Sequence, residues 1–421
     1  MLSNLFLLFL CVFETHAFRH YELDELTDVD EENDMVELPL TYTQKANRDP
    51  VVLIPGLAGS QLESRQTNET KWERMWVKVR RVVSDFDQFK KDFVPIYDPV
   101  TNTYSNRDGL IVRPRNYGGV KGIAYMDDTL SWFTGTYQPL IKALQEVGYK
   151  VKKDLWGVPW DFRLDTADQL ATNGEFAKLK WLLEESYRIN QKPAVVLTHS
   201  CGCPLFHIFL TTFVTPEWKS KHVKGFIPCN GPFGGSMEAF QHLSTVHSWV
   251  VPFTGKVFNQ ITQSLACLYW MLPNENAYGK DGLLAEFNKT GTQIRMSNMN
   301  DTWTTTGRSW MSIAAYHSLK VMNKPQEHPG VPTHVFFSHG KKTTTSIVIK
   351  EEKEKWWKEE AEGVIGDGDG TVPLASLLVP LKWKNENNHP LEFHEFEDIS
   401  HGQILKDKKS VAKIISIVAQ N

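Results

Sequence analysis

The sequence predicts an α/β protein, a mostly parallel β-sheet with helices on both faces. Three observations carry that expectation: short aliphatic runs bounded by Pro and Gly, helical spacing of apolar residues between them, and further strand-like runs toward the C-terminus. Pro50-Val51-Val52-Leu53-Ile54-Pro55-Gly56 is a continuous aliphatic and β-branched run, the pattern of a strand covered on both faces. Gln191-Lys192-Pro193-Ala194-Val195-Val196-Leu197-Thr198 repeats the design. Between them, residues 137–147 and 175–190 carry apolar side chains at helical spacing. Residues 332–337 and 391–396 read as further strands, and 403–419 as a last helix. Strand alternating with helix is the arrangement of a parallel sheet.

The chain has 421 residues, enough for a large core carrying insertions. Two aromatic-rich stretches, 71–97 and 233–324, break the alternation and read as excursions over the sheet. The expected organisation is one domain over 50–421, with a lid or membrane-binding segment at about 66–104 and a cap at about 233–324.

Hydrophobic and charged fractions of 41% and 23% are ordinary for a globular chain, and a net charge of −4 argues against nucleic acid. Aromatics reach 12%, with 14 Trp, a surplus suited to lined pockets or to contact with apolar material. Residues 5–13 form an apolar run too short to span a bilayer, followed by a small-x-small site at Thr15-His16-Ala17. Residues 1–17 therefore read as a signal peptide and 18–49 as an acidic arm with little to bury. The secretory route this implies ends outside the cell, in a lysosome or in the ER lumen. Sequons at Asn68, Asn288 and Asn300 fit it. Beyond the signal only Cys201, Cys203, Cys229 and Cys267 remain, which excludes a disulfide scaffold and predicts buried free thiols.

The chemistry concentrates where the second strand ends. In Leu197-Thr198-His199-Ser200-Cys201-Gly202-Cys203-Pro204, a buried strand meets a sharp turn and a helix follows at once. A serine at such an elbow stands exposed above the strand ends, and the N–H after it points toward a developing oxyanion. Close packing there demands small neighbours. Gly202 complies, whereas Thr198 is larger than the usual Gly or Ala.

The α/β-hydrolase order is Ser, then Asp or Glu, then His. Gly366-Asp367-Gly368-Asp369-Gly370-Thr371-Val372-Pro373 lies downstream and can bring a carboxylate back over the sheet edge. Asp367 and Asp369 compete for the acid, with Asp369 preferred. A calcium loop would need a further acidic ligand at fixed spacing, and none follows. His401, between a strand and the last helix, is positioned to be the base; His389 and His394 flank or lie within that strand. After the first strand, Gly56-Leu57-Ala58-Gly59 lets backbone amides approach an ester.

Here the sequence resembles the lecithin:cholesterol acyltransferase family, which also holds lysosomal group XV phospholipase A and the phospholipid:diacylglycerol acyltransferases. Leu53-Ile54-Pro55-Gly56-Leu57-Ala58-Gly59-Ser60-Gln61-Leu62-Glu63 is similar to that family's oxyanion loop. Pro159-Trp160-Asp161-Phe162-Arg163-Leu164 resembles its aromatic-Asp-aromatic-Arg-Leu signature, and Asn230-Gly231-Pro232-Phe233-Gly234-Gly235-Ser236 its Gly-Gly-Ser turn. Residues 367–373 resemble its acid loop, so the likeness runs from about residue 50 to the C-terminus. It implies a triad of Ser200, Asp369 and His401, with an oxyanion hole at the amides of Ala58 and Cys201. It implies an acyl-enzyme formed from a glycerophospholipid, an acyl acceptor that is a lipid alcohol such as a sterol or diacylglycerol, or water, and no metal or organic cofactor. The sequence departs from the family's animal members in lacking the cysteines that close a lid loop over 66–104 and a second disulfide near the acid loop.

A lipid enzyme must meet a phospholipid membrane or a lipoprotein-like surface. Trp72-Glu73-Arg74-Met75-Trp76-Val77-Lys78-Val79-Arg80-Arg81 interleaves aromatic and basic residues, so Trp72 and Trp76 are expected at headgroup level. Two alternatives stay open: a purely hydrolytic phospholipase or lipase, and an inactive lipid-binding homologue, toward which Thr198 is the one pointer.

Overall fold

The computed structural model describes residues 48–78, 82, 84–127, 136–246, 255–350, 356–383 and 389–419. The expected signal peptide, nearly all of the acidic arm, and Arg80 and Arg81 of the basic segment lie outside those residues.

Six parallel strands form the central sheet: β1 (Val51–Ile54), β2 (Leu155–Gly157), β3 (Ala194–His199), β4 (Val223–Cys229), β5 (Thr333–His339) and β6 (Leu391–Glu397). Their order is β6-β5-β4-β3-β1-β2, every neighbouring pair parallel. The chain winds outward in both directions from β1 and β3, so the crevice above their carboxyl ends is the topological switch point where open α/β sheets bind ligands.

Strand β1 shows how its residues build both layers. Val51 and Leu53 enter the cluster under helices α1 (Gln138–Glu146) and α4 (Lys408–Val418). Val52 and Ile54 point to the opposite face, with α2 (Glu175–Asn190) and α3 (Gly202–Ile208). All four are 0% exposed, each worth roughly 1.5–3 kcal/mol of transfer free energy. The unbroken apolar run therefore has a period of two, with both faces buried.

The predicted strands and helices are found within a few residues of their expected bounds, save that the last helix opens with a 3-10 turn at Gln403–Leu405 before α4. Two strands of the central sheet were not anticipated. Leu155–Gly157 is only three residues long, and in β4 Lys224, Gly225 and Pro228 interrupt the apolar pattern.

Both excursions carry their own sheets. Leu62–Gln66, Glu73–Trp76 and Leu110–Pro114 form an antiparallel ribbon, followed within its span by the helix Phe86–Phe93. The second excursion holds helices and a four-stranded sheet that includes Leu283–Phe287 but also Lys341–Ile349 and Glu362–Gly368. That sheet reaches past the expected cap boundary near 324, and its last strand delivers the chain to Asp369. The four cysteines among the described residues are buried and free, as expected.

Candidate active site

Ser200 follows β3 directly. It holds a left-handed backbone with φ +53°, an uncommon and strained region for a residue with a side chain. The amide of Ser200 donates to the Cys229 carbonyl on β4 (3.1 Å), and Cys203 N–H donates back to the Ser200 carbonyl (2.9 Å). These bonds pin the elbow between two strands and the first turn of α3.

Two glycines make room for it. A Cβ on Gly56 would lie 2.5 Å from the Ser200 Cβ, and one on Gly202 would lie 2.7 Å from the Pro55 carbonyl. Loop 55–59 can therefore lie against the serine only because neither position has a side chain. Thr198 is accommodated differently. Fully buried, its hydroxyl donates to the Cys203 sulfur at 3.0 Å, so the extra bulk is packed and its polar atom satisfied.

His401 Nε2 lies 2.9 Å from Ser200 Oγ, and its Nδ1 lies 2.6 Å from Asp369 Oδ2. A carboxylate can only accept, so the proton sits on Nδ1 and the Nε2 lone pair faces the serine hydroxyl. Asp369 is 0% exposed. Its other oxygen accepts from the amides of Thr371 (2.9 Å) and Val372 (2.7 Å), and its own carbonyl accepts from His401 N–H (2.8 Å). Asp367 is turned away and half exposed, accepting from the amides of Gly340 and Gly368 (both 2.7 Å). Of the two rival aspartates, only Asp369 reaches the histidine. His394, the rival inside β6, lies beside His334 instead.

The amides of Ala58 and Cys201 donate to no acceptor among the described residues. Both lie beside the serine, one in the loop against it and one directly after it. Ala58 has φ +63°. Its carbonyl is held by Trp76 Nε1–H (2.8 Å), and the Pro55 carbonyl by Trp160 Nε1–H (2.8 Å). Two indoles therefore clamp the loop.

That corrects one expectation. Trp76 does not face outward: its ring packs on Phe93 (4.9 Å) and Phe162 (5.8 Å) at the edge of the main core, and its N–H donates to the Ala58 carbonyl of loop 55–59. Alternation along the strand buries Met75 and Val77, and it is the ribbon's closure over loop 55–59 that covers Trp76 on the other side. Trp72 lies apart, with the Arg113 guanidinium 3.8 Å and that of Arg65 5.1 Å from its ring centre.

Two residues beside the site carried no catalytic expectation. His199 Nε2 lies 2.9 Å from the His401 carbonyl, to which Asn230 Nδ2 also donates (3.1 Å). Burial and the neighbouring His401 imidazole push His199 down to about 3, so it is neutral and its Nε2–H is the donor. Asn230 is itself locked by Ser338, whose amide donates to its Oδ1 (2.8 Å). His199 stood one residue before the serine, and Asn230 opened a recognised turn. Neither neighbourhood shows that both reach residue 401.

The profile of the family described as lecithin:cholesterol acyltransferase matches residues 70–307, more than half of the chain. The chain belongs to that family. It is an enzyme acting on lipid esters. Among curated relatives, lecithin-cholesterol acyltransferase-like 1 of Arabidopsis thaliana is 27% identical, over 89% of this chain and 91% of its own length. Lysosomal phospholipase A and acyltransferase of Homo sapiens is 22% identical, covering 86% and 89%. Phosphatidylcholine-sterol acyltransferase of Mus musculus is 23% identical, covering 88% and 85%. A chain from the crystal structure of the Tle4-Tli4 complex superposes with a TM-score of 0.52 at 11% identity, over 89% of this chain and 98% of that one, a likeness of fold alone. Together with the strand order, it agrees with the α/β-hydrolase architecture.

Proposed function

We propose that this enzyme takes an acyl chain from a glycerophospholipid through a covalent intermediate on Ser200 and passes it to a lipid alcohol or to water. The observation that carries the reading is the unbroken line from Asp369 to His401 to Ser200, at 2.6 and 2.9 Å, ending beside two amides that find no acceptor among the described residues.

In the first half-reaction Ser200 Oγ attacks the ester carbonyl while His401 Nε2 takes its proton. Asp369 holds the imidazole in the right tautomer and stabilises the imidazolium. The amides of Ala58 and Cys201 receive the developing oxyanion, and His401 returns the proton to the departing lysophospholipid oxygen. In the second half, His401 deprotonates the acceptor hydroxyl, which attacks the acyl carbon and frees Ser200. None of these steps calls on a cofactor.

The names of the relatives support both outcomes of the second half, since one is called a phospholipase A and acyltransferase and another a sterol acyltransferase. A surface role at the lipid interface belongs to Trp72 and the neighbouring basic residues Lys71, Arg65 and Arg113. No helix among the described residues is long and apolar enough to cross a membrane. The apolar run at 5–13 and the exposed sequons at Asn68 and Asn288 support passage through the secretory route.

Incubation of purified protein with acyl-labelled phosphatidylcholine liposomes, with and without sterol, diacylglycerol or ceramide, tests the reading. Label should appear in free fatty acid and in one acceptor ester, and a fluorophosphonate probe should block both and modify Ser200. Label retained in phospholipid with no product beyond background, in folded protein that the probe does not modify, would leave an inactive lipid-binding homologue.

A further inference from the structure

A second cluster of chemistry-bearing side chains sits on the sheet away from Ser200, between β5 and β6. In the parallel register His334 pairs with Glu392 and Phe336 with His394. The period of two then brings His334, Glu392 and His394 onto one face. Phe336 on that face belongs to the same buried apolar cluster as Val411, Ile414 and Ile415 of α4, so the three side chains lie on the side of the sheet that this helix covers, at the sheet's edge.

Three atoms converge there. His334 Nδ1 lies 3.2 Å from His394 Nε2 and 3.4 Å from Glu392 Oε2, and the last two are 3.9 Å apart. The point equidistant from all three lies about 2 Å from each, the length of a zinc–imidazole or zinc–carboxylate bond. The edges match the 3–4 Å that separate neighbouring ligands of a tetrahedral ion, on the order expected from bonds of that length. Both imidazoles are largely covered, with side-chain exposures of 21% and 11%, while Glu392 is 57% exposed and free to adjust.

We propose that His334, His394 and Glu392 bind one zinc-like divalent ion, with water completing the shell. Two imidazoles and one carboxylate suit zinc and its late first-row neighbours better than the oxygen-seeking calcium or magnesium. An imidazole coordinates in its neutral form, and the two rings, both largely covered, present one nitrogen each to the same point. Lys413 on α4 adds nearby positive charge, which the Glu392 carboxylate offsets. The ion would tie β6 to β5 and steady the strand whose end leads to His401. The site is structural and rests on nothing in the acyl-transfer reading.

The test uses untagged full-length protein stripped with a chelator and titrated with zinc against a chromophoric competitor. Metal content and melting temperature are followed together. One zinc per chain is expected, with a melting temperature several degrees higher at about 100 times Kd and no comparable rise with magnesium. His334→Asn and His394→Asn should abolish binding, and Glu392→Gln should weaken it by at least about tenfold. Cobalt in place of zinc should give the visible absorption of a tetrahedral site. Substoichiometric zinc in folded wild-type protein would overturn the proposal. So would full zinc binding in the His variants. If those variants fail to fold, Glu392→Gln decides, because its side chain is exposed: unchanged affinity there also overturns it.

Discussion

The elbow at Ser200 and the ribbon of residues 62–114 meet at the same loop, yet they act on it by different means. The elbow is built from neighbours in sequence: strand, serine, small residue and helix within ten positions. The ribbon acts through Trp76, whose indole crosses to the Ala58 carbonyl 18 residues away, while Trp72, four positions earlier, stays outside between two arginines. Chemistry encoded in contiguous residues survives reading in one dimension. A supporting contact across a sheet does not.

The sharpest break between the regions is at Ser200, the proposed nucleophile. Ser200→Ala removes one hydroxyl and no core volume, so turnover should fall by roughly three orders of magnitude or more with the melting temperature nearly unchanged. Near-normal turnover by a folded variant would take the chemistry away from the elbow altogether.

Next come the two aspartates. Asp369→Asn leaves the geometry but favours the wrong imidazole tautomer, a loss of up to about four orders of magnitude in kcat. Asp367→Asn weakens only a turn that accepts from Gly340 and Gly368, so its effect should be small. Steady-state kinetics of the pair, in the reverse order, would exchange their roles.

The tryptophans bring the comparison inside the ribbon. Trp76→Phe keeps the ring but loses the bond to Ala58, and should lower kcat by up to about tenfold on a short soluble ester and on liposomes alike. Trp72→Ala should weaken binding to anionic liposomes while sparing the soluble ester. Equal losses on both substrates for Trp72→Ala would make it another loop support.

A smaller effect separates buried imidazoles from exposed ones. His199 is held at about 3 and His207 and His328 at about 4, chiefly by burial, each below its unfolded value near 6.5. The unfolded chain therefore binds more protons between about pH 4 and 6.5, and stability should fall as pH drops through that window. Asp165, raised to about 6 by burial, opposes this in part. Melting followed from pH 7 to 5 should show a decline of several degrees; a rise would mean that raised carboxylates dominate.

The mildest test is glycan mapping. Asn68 and Asn288 are exposed, whereas the Asn300 sequon is partly covered and its Thr302 is buried at 4% exposure. Occupancy is expected at the first two and not at the third.

Much of the fold was legible because long apolar runs must be covered on both faces, and strands of that kind are written continuously. β4 was missed because Pro228 and Gly225 break its run, although the sheet covers it all the same. Thr198 looked like a departure until Cys203 supplied a partner for its hydroxyl.

By itself the sequence pointed to the long apolar strands, the helices between them and the candidate serine, aspartate and histidine, since each is written in residues within a turn of one another. Only the tertiary structure decided that Asp369 and not Asp367 faces His401, that Trp76 turns inward, and that His199 and Asn230 hold the His401 carbonyl. Those choices depend on which way side chains point after strands far apart in sequence have paired, which no local run of residues specifies.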